Sequence, residues 1–398
     1  MNVKKHTSEN NKVIQLYKNK WNRKWFIPLG ILIFILMVIL GIKYHVYHNY
    51  RTLASSGNED TQSSGYIPLG DRLLKYGDDG AYLLSQSHEI LWNYTFEMSN
   101  PSADVRGEKA VIYDKKGTKM FVLDKNKPIS DMETKFPILQ AEITEKGSVA
   151  AVLQDGEKTW INYYASDGSV IAENQTRIEN PGYPLDMTVS PGGENIAVSF
   201  LMVENSRLIS KVIFYNFGDA GQNKEDNIVA EYQYENIVIP QIIYLDNTTA
   251  VAFGDNGYSI FKGIENPKEE VKETIEEEIV STFHNEKYFG LVLKGTGKKE
   301  GYMMQLYSPS GKKMFSEKFE HEYQSIDISK EMIILCDGSK VRMYNLKGIL
   351  KFDGIIGEGA VKNVFQMSSK RYMVISENGI HTISLIGNCE TSSGYEPE

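Results

Sequence analysis

The 398-residue chain contains only two cysteines, and this shortage excludes a fold held together by disulfides. Cys336 ends the apolar run Ile333–Cys336, which predicts a buried strand, whereas Cys389 lies in a polar tail. A thiol in a core and a thiol in a loose tail are poor partners for one another. The domain therefore has to rely on its hydrophobic core.

Motifs for catalysis are also missing. The sequence has no Gly-x-Ser-x-Gly and no His-Glu-x-x-His pattern, and Gly295–Lys299 lacks the spacing of a phosphate loop. Only seven histidines occur, and those beyond residue 48 are far apart: His88, His284, His321 and His381. We therefore predict a protein that is not an enzyme, with no catalytic residue, cofactor or metal site. Paired carboxylates would become visible only in three dimensions.

Acidic residues outnumber basic ones after residue 48. The chain carries −9 overall and +7 up to His48, which leaves −16 for the remainder. An acidic domain repels phosphate backbones, so nucleic acid is excluded as a partner. The most acidic stretch, Lys268–Glu278, fits a solvated outer strand or short helix, with a site for a cation or a basic partner as the alternative.

One long apolar segment is present. Trp25–Ile42 is uncharged, and its eighteen residues would form a helix of roughly 27 Å. Basic residues crowd its N-terminal side, which predicts that the N-terminus stays in the cytoplasm and the rest is exported. The alternative is a cleaved signal peptide, but the small residues near Ala54 lie too far beyond the run.

These features predict five segments in a single-pass protein of the cell membrane with an extracellular domain. The segments are a cytoplasmic basic tail (1–24), a transmembrane helix (25–47), a flexible linker (48–66), an extracytoplasmic β-domain (67–387) and a disordered tail (388–398).

Short β-branched and aromatic runs, separated by Gly-containing turns, fill the β-domain. Tyr-x-x-x-Gly recurs with its glycine at Gly168, Gly311 and Gly348, each time between two apolar runs. A unit of about 40–45 residues is typical of a β-propeller blade of four strands. Innermost strands are predicted to begin near Ala103, Ile138, Pro184, Pro240, Val280, Ser325 and Lys362.

Seven or eight blades follow from this spacing, and we favour eight. The segment Ile67–Phe96 would supply another blade or the closing strands. A large β-sandwich is the alternative, since it also has short strands and regular turns. A closed ring, however, explains how so many strands avoid exposed edges.

Three stretches carry a resemblance to known proteins. Ile90–Tyr94, Tyr183–Gly193 and Val212–Gly218 resemble an uncharacterised family of clostridia-like Gram-positive bacteria, a domain of unknown function. That resemblance implies an N-terminal membrane anchor and a propeller-like ectodomain, and no activity. Gly80–Trp92 is more loosely similar to quinoprotein-type and outer-membrane-assembly propellers. The docking tryptophans of quinoprotein blades are largely missing.

Long connections on a rigid scaffold are common recognition sites. We predict that the Val203–Ser210 and Lys294–Gly301 loops flank a binding face, whereas Gly218–Asn227 extends from the other rim. The candidate contact residues are Val203, Asn205, Arg207, Lys294, Lys298 and Lys299. The predicted function is a non-enzymatic binding or scaffold module for an envelope protein or polymer. The alternative is an envelope enzyme or a small-ligand sensor that uses the central channel.

Overall fold

The structure of the chain is a computed structural model that describes residues 23–57, 61, 63–295, 301–357 and 359–387. The chain divides into two compact units, and the first of them ends at His45. The first unit contains the helix α1 (Arg23–Tyr44), which begins near the start of the predicted apolar segment. No helix in the described part of the chain is both long enough and apolar enough to cross a membrane.

The second unit is built of eight four-stranded antiparallel sheets. The strands of the first two sheets are β2 (Gly65–Leu69), β3 (Arg72–Tyr76), β4 (Gly80–Leu84), β5 (Ile90–Thr95), β6 (Pro101–Arg106), β7 (Lys109–Asp114), β8 (Lys119–Asp124) and β9 (Pro128–Glu133). The next two contain β10 (Ile138–Ile143), β11 (Val149–Asp155), β12 (Lys158–Tyr164), β13 (Val170–Arg177), β14 (Tyr183–Val189), β15 (Asn195–Glu204), β16 (Arg207–Asn216) and β17 (Ile228–Glu235).

Four further sheets complete the unit. The fifth and sixth contain β18 (Gln241–Tyr244), β19 (Thr249–Gly254), β20 (Gly257–Lys262), β21 (Lys268–Thr274), β22 (Glu278–His284), β23 (Phe289–Lys294), β24 (Tyr302–Tyr307) and β25 (Lys313–Phe319). The last two contain β26 (Ser325–Ser329), β27 (Met332–Asp337), β28 (Lys340–Asn345), β29 (Leu350–Ile355), β30 (Val361–Gln366), β31 (Arg371–Ser376), β32 (Gly379–Ile386) and β1 (Asn49–Gly57). A short 3₁₀ helix, Glu225–Asn227, lies between β16 and β17.

Eight sheets of this kind form an eight-bladed β-propeller, which confirms the favoured blade count. The first strands of neighbouring blades contact one another, so they are the innermost strands around the axis. They begin at Pro101, Ile138, Tyr183, Gln241, Glu278, Ser325 and Val361, within two residues of the predicted starts. Ile67–Phe96 supplies most of blade 1.

The ring is closed by a strand that the sequence interpretation missed. β1 pairs with β32 from Asn49 opposite Ile386 to Gly57 opposite Gly379, and it completes blade 8 as the outer strand. The prediction of a flexible linker over 48–66 is therefore wrong for these residues. An outer strand has one solvated side, so its polar and small side chains look like a tether in the sequence. Residues 1–22 of the predicted basic tail (1–24) and the whole predicted tail 388–398 lie outside the described residues.

The core is divided among the blade interfaces. Eight hydrophobic clusters each join two neighbouring blades. The cluster that closes the ring packs Leu73 and Leu84 of blade 1 against Phe365, Met373 and Ile375 of blade 8. Cys336 belongs to the interface of blades 7 and 8, where burial raises the pKa of its thiol to about 11. Cys389 lies outside the described residues.

The Tyr-x-x-x-Gly repeat is the turn between the third and fourth strands. Gly168, Gly311 and Gly348 all have positive φ, and each donates its N–H to the carbonyl three residues earlier at 2.9 Å. A register shift follows at the same step of each blade, beside the tyrosine. Glycine is needed here because other residues are strained in the left-handed region.

Two faces of the ring follow from the topology. In each antiparallel blade, the first-to-second and third-to-fourth connections lie at one end, and the second-to-third connection lies at the other. The end at which β1 begins and β32 ends is called the termini face. The other end carries the long β15–β16 hairpin and is called the ribbon face.

Candidate functional site

The predicted loop Val203–Ser210 is not a loop. Val203 and Glu204 end β15, Arg207–Ser210 begin β16, and only Asn205 and Ser206 form the turn. Both turn residues have positive φ, as a tight two-residue hairpin turn requires. The additional residues therefore lengthen two paired strands into a β-ribbon.

This ribbon projects beyond its neighbours. β14 pairs with β15 only as far as Leu201, opposite Tyr183, so Met202–Glu204 pair only with Arg207–Ile209 of β16. On the other side, β17 pairs with β16 as far as Ile209, opposite Glu235. The two-stranded projection therefore consists of Val203–Glu204 and Arg207–Leu208, which corresponds to roughly 7 Å.

An apolar patch covers one side of the ribbon. Val203 lies opposite Leu208, and Tyr183 lies opposite Leu201, two residues before Val203, so these side chains share one face. Val203 is 69 % exposed, Leu208 43 % and Tyr183 40 %. We call Tyr183, Val203 and Leu208 the ribbon patch.

Charged residues lie on the side of the ribbon opposite the ribbon patch, because Arg207 and Lys211 are an odd number of positions from Leu208. Arg207 donates from Nη1 to Oε2 of Glu235 at 3.0 Å, and Lys211 pairs with Glu231 at 2.8 Å. Because both members of the Arg207 pair are more than half exposed, this bridge adds little stability and leaves the guanidinium accessible.

The second predicted loop lies on the same face. Lys294 ends β23. The N–H of the next residue, Gly295, donates to the carbonyl of Gly301 at 2.9 Å. Both connections join second and third strands, in blades 4 and 6, so the ribbon face carries both. Lys298 and Lys299 lie outside the described residues. Gly218–Asn227 joins the third and fourth strands of blade 4, on the termini face as predicted.

The central channel contains a polar network that sequence analysis did not identify. Asp104 of blade 2 accepts the N–H of Ile143 in blade 3 at 2.8 Å, and Glu142 of blade 3 accepts that of Val189 in blade 4 at 3.0 Å. Asp186 of blade 4 repeats this contact one blade further on, with the N–H of Ile242 at 2.8 Å. Carboxylates on successive innermost strands thus link four consecutive blades.

Further polar side chains extend the network. Gln140 donates from Nε2 to Asp186 and to the carbonyl of Met187, both at 2.8 Å. Thr282 of blade 6 donates to Gln241 of blade 5 at 2.6 Å. These contacts fix the position of each innermost strand relative to the next blade. Backbone hydrogen bonds cannot do this, because they pair strands only within a blade.

The pKa values of several ionisable groups in the channel are strongly shifted. Burial raises the pKa of Asp186 to about 6, and it raises the pKa of Asp104 and of Asp327. Burial, and then the charges of Asp104 and Asp186, raise the pKa of Glu142 well above its usual value. All four carboxyl residues keep some accessible surface, so none is sealed in the hydrophobic core.

Arg106, on the same strand as Asp104, and His284 also belong to the channel. Burial, and then the positive charge of Arg106, lower the pKa of His284 to about 4. Arg106 belongs to blade 2 and His284 to blade 6, on opposite sides of the ring, so the guanidinium acts across the channel. Ionisable groups with strongly shifted pKa values are common at functional sites. Within the described residues, however, no group of such side chains has the arrangement of a metal site.

The acidic stretch noted in the sequence, Lys268–Glu278, has a structural role. Lys268–Thr274 form β21, the outer strand of blade 5, with alternating exposure. The outer-strand prediction is confirmed and the helix alternative is wrong. Tyr234 and Ser259 both donate to Glu269, and Lys272 lies 4.7 Å above the ring of Tyr234. Charged side chains on an outer strand also protect its edge from pairing with another chain.

The eight four-stranded sheets define a β-propeller, and solved structures share that fold. The chain resembles Sqt1 from Saccharomyces cerevisiae with a TM-score of 0.57 and 13% identity, covering 85% of this chain and 100% of Sqt1. BamB from Moraxella catarrhalis is similar with a TM-score of 0.50 and 13% identity, covering 85% and 100%. Identities this low establish the fold alone.

The chain belongs to a family of unknown function, DUF5711, whose model matches residues 43–385. This membership agrees with the resemblance to an uncharacterised family noted from the sequence. No curated protein matches the chain.

Proposed function

We propose that this protein is a membrane-anchored, extracytoplasmic β-propeller that acts as a non-enzymatic binding or scaffold module for an envelope protein or polymer. The observation that supports binding is the ribbon patch, because the ribbon extends from a rigid ring and exposes Val203 and Leu208. Large exposed apolar side chains that lie side by side are typical of interaction sites.

Several features suit the ribbon to recognition. Its strands are paired to the tip, so little conformational entropy is lost when a partner binds. Burying Val203 and Leu208 would contribute roughly 1–3 kcal/mol each. Arg207 can exchange Glu235 for a carboxylate of the partner, since its present bridge is exposed.

The proposed anchor is the Trp25–Ile42 segment. Its eighteen uncharged residues and the lysines before it support a single crossing with the N-terminus in the cytoplasm. We expect the full-length protein to stay with the membrane after an alkaline carbonate wash, and we expect protease added to intact cells to digest the propeller. Release by carbonate would contradict anchoring, and protection from protease would contradict the extracellular location.

The binding role is tested by crosslinking in intact membranes, followed by affinity purification of the tagged full-length chain. The double variant Val203→Glu, Leu208→Glu places charge in the ribbon patch. The matched control is Val170→Glu, Ile171→Glu, because these residues are 53 % and 49 % exposed and begin β13 on the termini face. We expect the ribbon variant to lower recovery of an envelope partner by about tenfold or more, and the control to leave it unchanged. Equal recovery with both variants would contradict the proposal.

The alternative function uses the central channel, as an envelope enzyme or a small-ligand sensor. The observation that favours it is the convergence of Asp104, Glu142 and Asp186 with Arg106 and His284 on one channel. If purification recovers only a small molecule or glycan, and if Glu142→Gln abolishes that recovery while the ribbon variant does not, this alternative replaces the first proposal.

A further inference from the structure

The termini face of blades 6, 7 and 8 is basic. Its connections and the strand residues beside them carry two carboxylates, Glu286 and Glu331. They carry seven exposed cations, which we call the basic face: Lys287, Lys312, Lys313, Lys330, Lys347, Lys370 and Arg371. The local excess is five positive charges, in a chain that carries −16 after residue 48.

These cations are not neutralised by the fold. Within the described part of the chain, no member of the basic face forms a salt bridge. Lys330 donates from Nζ to the carbonyl of Met367 at 3.1 Å. Lys313 lies 5.7 Å above the ring of Tyr307, and Lys370 lies 5.7 Å above that of Tyr47. Such contacts orient an ammonium group without cancelling its charge.

The ribbon face of the same three blades has the opposite charge. Among the described residues there, two lysines, Lys294 and Lys340, stand beside seven carboxylates. Those acids are Glu276, Glu277, Glu278, Glu320, Glu322, Asp337 and Glu377. Charge is therefore separated along the axis of blades 6 to 8, which a uniformly acidic surface would not produce.

The chain enters the propeller at the basic face. The N–H of Tyr47 donates to the carbonyl of Lys351 at 2.9 Å, and the carbonyl of Tyr47 accepts the N–H of Asp353 at 3.1 Å. With Lys370 above its ring, Tyr47 is fixed between blades 7 and 8. Only residues 45–48 separate α1 from β1 along the chain.

We propose that the basic face docks the propeller onto the anionic phospholipid headgroups of the membrane that holds the chain. This inference rests on the anchoring part of the proposed function. Lysines near a membrane surface attract anionic lipid over about one Debye length, which is about 10 Å in moderate salt.

Docking of this kind would leave the ribbon patch directed away from the lipid. The membrane would then orient the binding surface as well as retain the protein.

The test uses the full-length protein in lipid nanodiscs of phosphatidylcholine, with or without about 30 % phosphatidylglycerol. Lysine acetylation is followed residue by residue by mass spectrometry. We expect Lys312, Lys313, Lys330 and Lys347 to react about threefold more slowly in the anionic discs, and the protection to disappear at about 0.5 M salt. Lys115, Lys116, Lys135 and Lys158 on the ribbon face are the controls and should react equally in both discs.

Two charge-reversal variants, one of the basic face and one of the control lysines, provide a second measurement. Lys312→Glu, Lys313→Glu, Lys330→Glu and Lys347→Glu together should abolish the difference between discs for Lys287 and Lys370. Reversal of the four control lysines should preserve it. Because the footprint of the unmodified protein is informative by itself, a folding defect in a variant does not affect the conclusion.

Three outcomes would overturn the inference. One is equal acetylation of these lysines in both kinds of disc, with the protein retained in the discs after an alkaline carbonate wash. This result would exclude docking and leave the proposed membrane anchor unaffected. Loss of the protein in that wash would reject the anchor and membrane docking together. Protection that arises only when inorganic polyphosphate is added would assign the basic face to a soluble polyanion instead.

Discussion

Asn49 lies opposite Ile386 where β1 pairs with β32, so the first and last strands of the propeller are neighbours in one sheet. The ring is thereby closed by hydrogen bonds between the two ends of the chain. Neither end can be released without exposing the edge of blade 8, which makes closure a determinant of stability.

Closure depends partly on one side-chain contact. Ser55 Oγ lies 2.9 Å from Nδ1 of His381, whose ring is buried in blade 8. Ser55→Ala removes this partner, and we expect the free energy of unfolding to fall by about 1–2 kcal/mol. Urea unfolding measures the change, with the exposed Ser369→Ala as control. An equal effect of both substitutions would show that the contact does not stabilise closure.

The channel predicts an unusual dependence of stability on pH. Burial raises the pKa of Asp186 from 3.8 to about 6, so folding favours its protonated form. The associated stability is present below about pH 4 and is lost as the pH rises through 6. A shift of about two units corresponds to up to about 3 kcal/mol, and channel water reduces this figure.

Substitution isolates this contribution. Asp186→Asn should flatten the fall in unfolding free energy between about pH 4 and pH 7, whereas Asp219→Asn, at an exposed site, should not. Urea midpoints at several pH values provide the measurement. An unchanged slope in Asp186→Asn would mean that other groups, such as Glu142, carry the whole effect.

Two glycines of blade 7 should differ in how much stability the protein loses when each is replaced by alanine. Gly348 has φ +76° and a Cβ there would lie 2.9 Å from Cδ2 of Phe315, whereas Gly338 has φ +57° and open space around it. Alanine at Gly338 should cost about 1 kcal/mol for backbone strain alone. Alanine at Gly348 should cost about 1–2 kcal/mol more, because the phenylalanine ring must move. Thermal unfolding of the two variants compares them, and equal costs would contradict the packing argument.

Much of the ring was predictable because its innermost strands are buried and regularly spaced. Ile138, Ser325 and Val361 begin strands within one residue of the predicted positions. β1 was not predictable, since Thr52–Gly57 is polar and makes sense as a strand only beside β32. The ribbon was mistaken for a loop because Asn205 and Ser206 are turn residues, and the strands leading to them are solvated.

The channel network escaped sequence analysis for a different reason. Asp104, Glu142 and Asp186 are isolated acids in the sequence, and their convergence requires the register between blades. One signal was present, because each acid lies inside a predicted innermost strand, where unpaired carboxylates are costly. Comparing those strands position by position would have identified the series.

The central claim is that the ribbon patch binds a partner outside the membrane. The most direct measurement replaces Val203 by a photo-crosslinking amino acid in the full-length protein and irradiates intact cells, with the same replacement at Ile171 as control. The account predicts a discrete adduct with an envelope component from position 203 and no such adduct from position 171. Adducts of equal yield from both positions, or none from position 203, would contradict it.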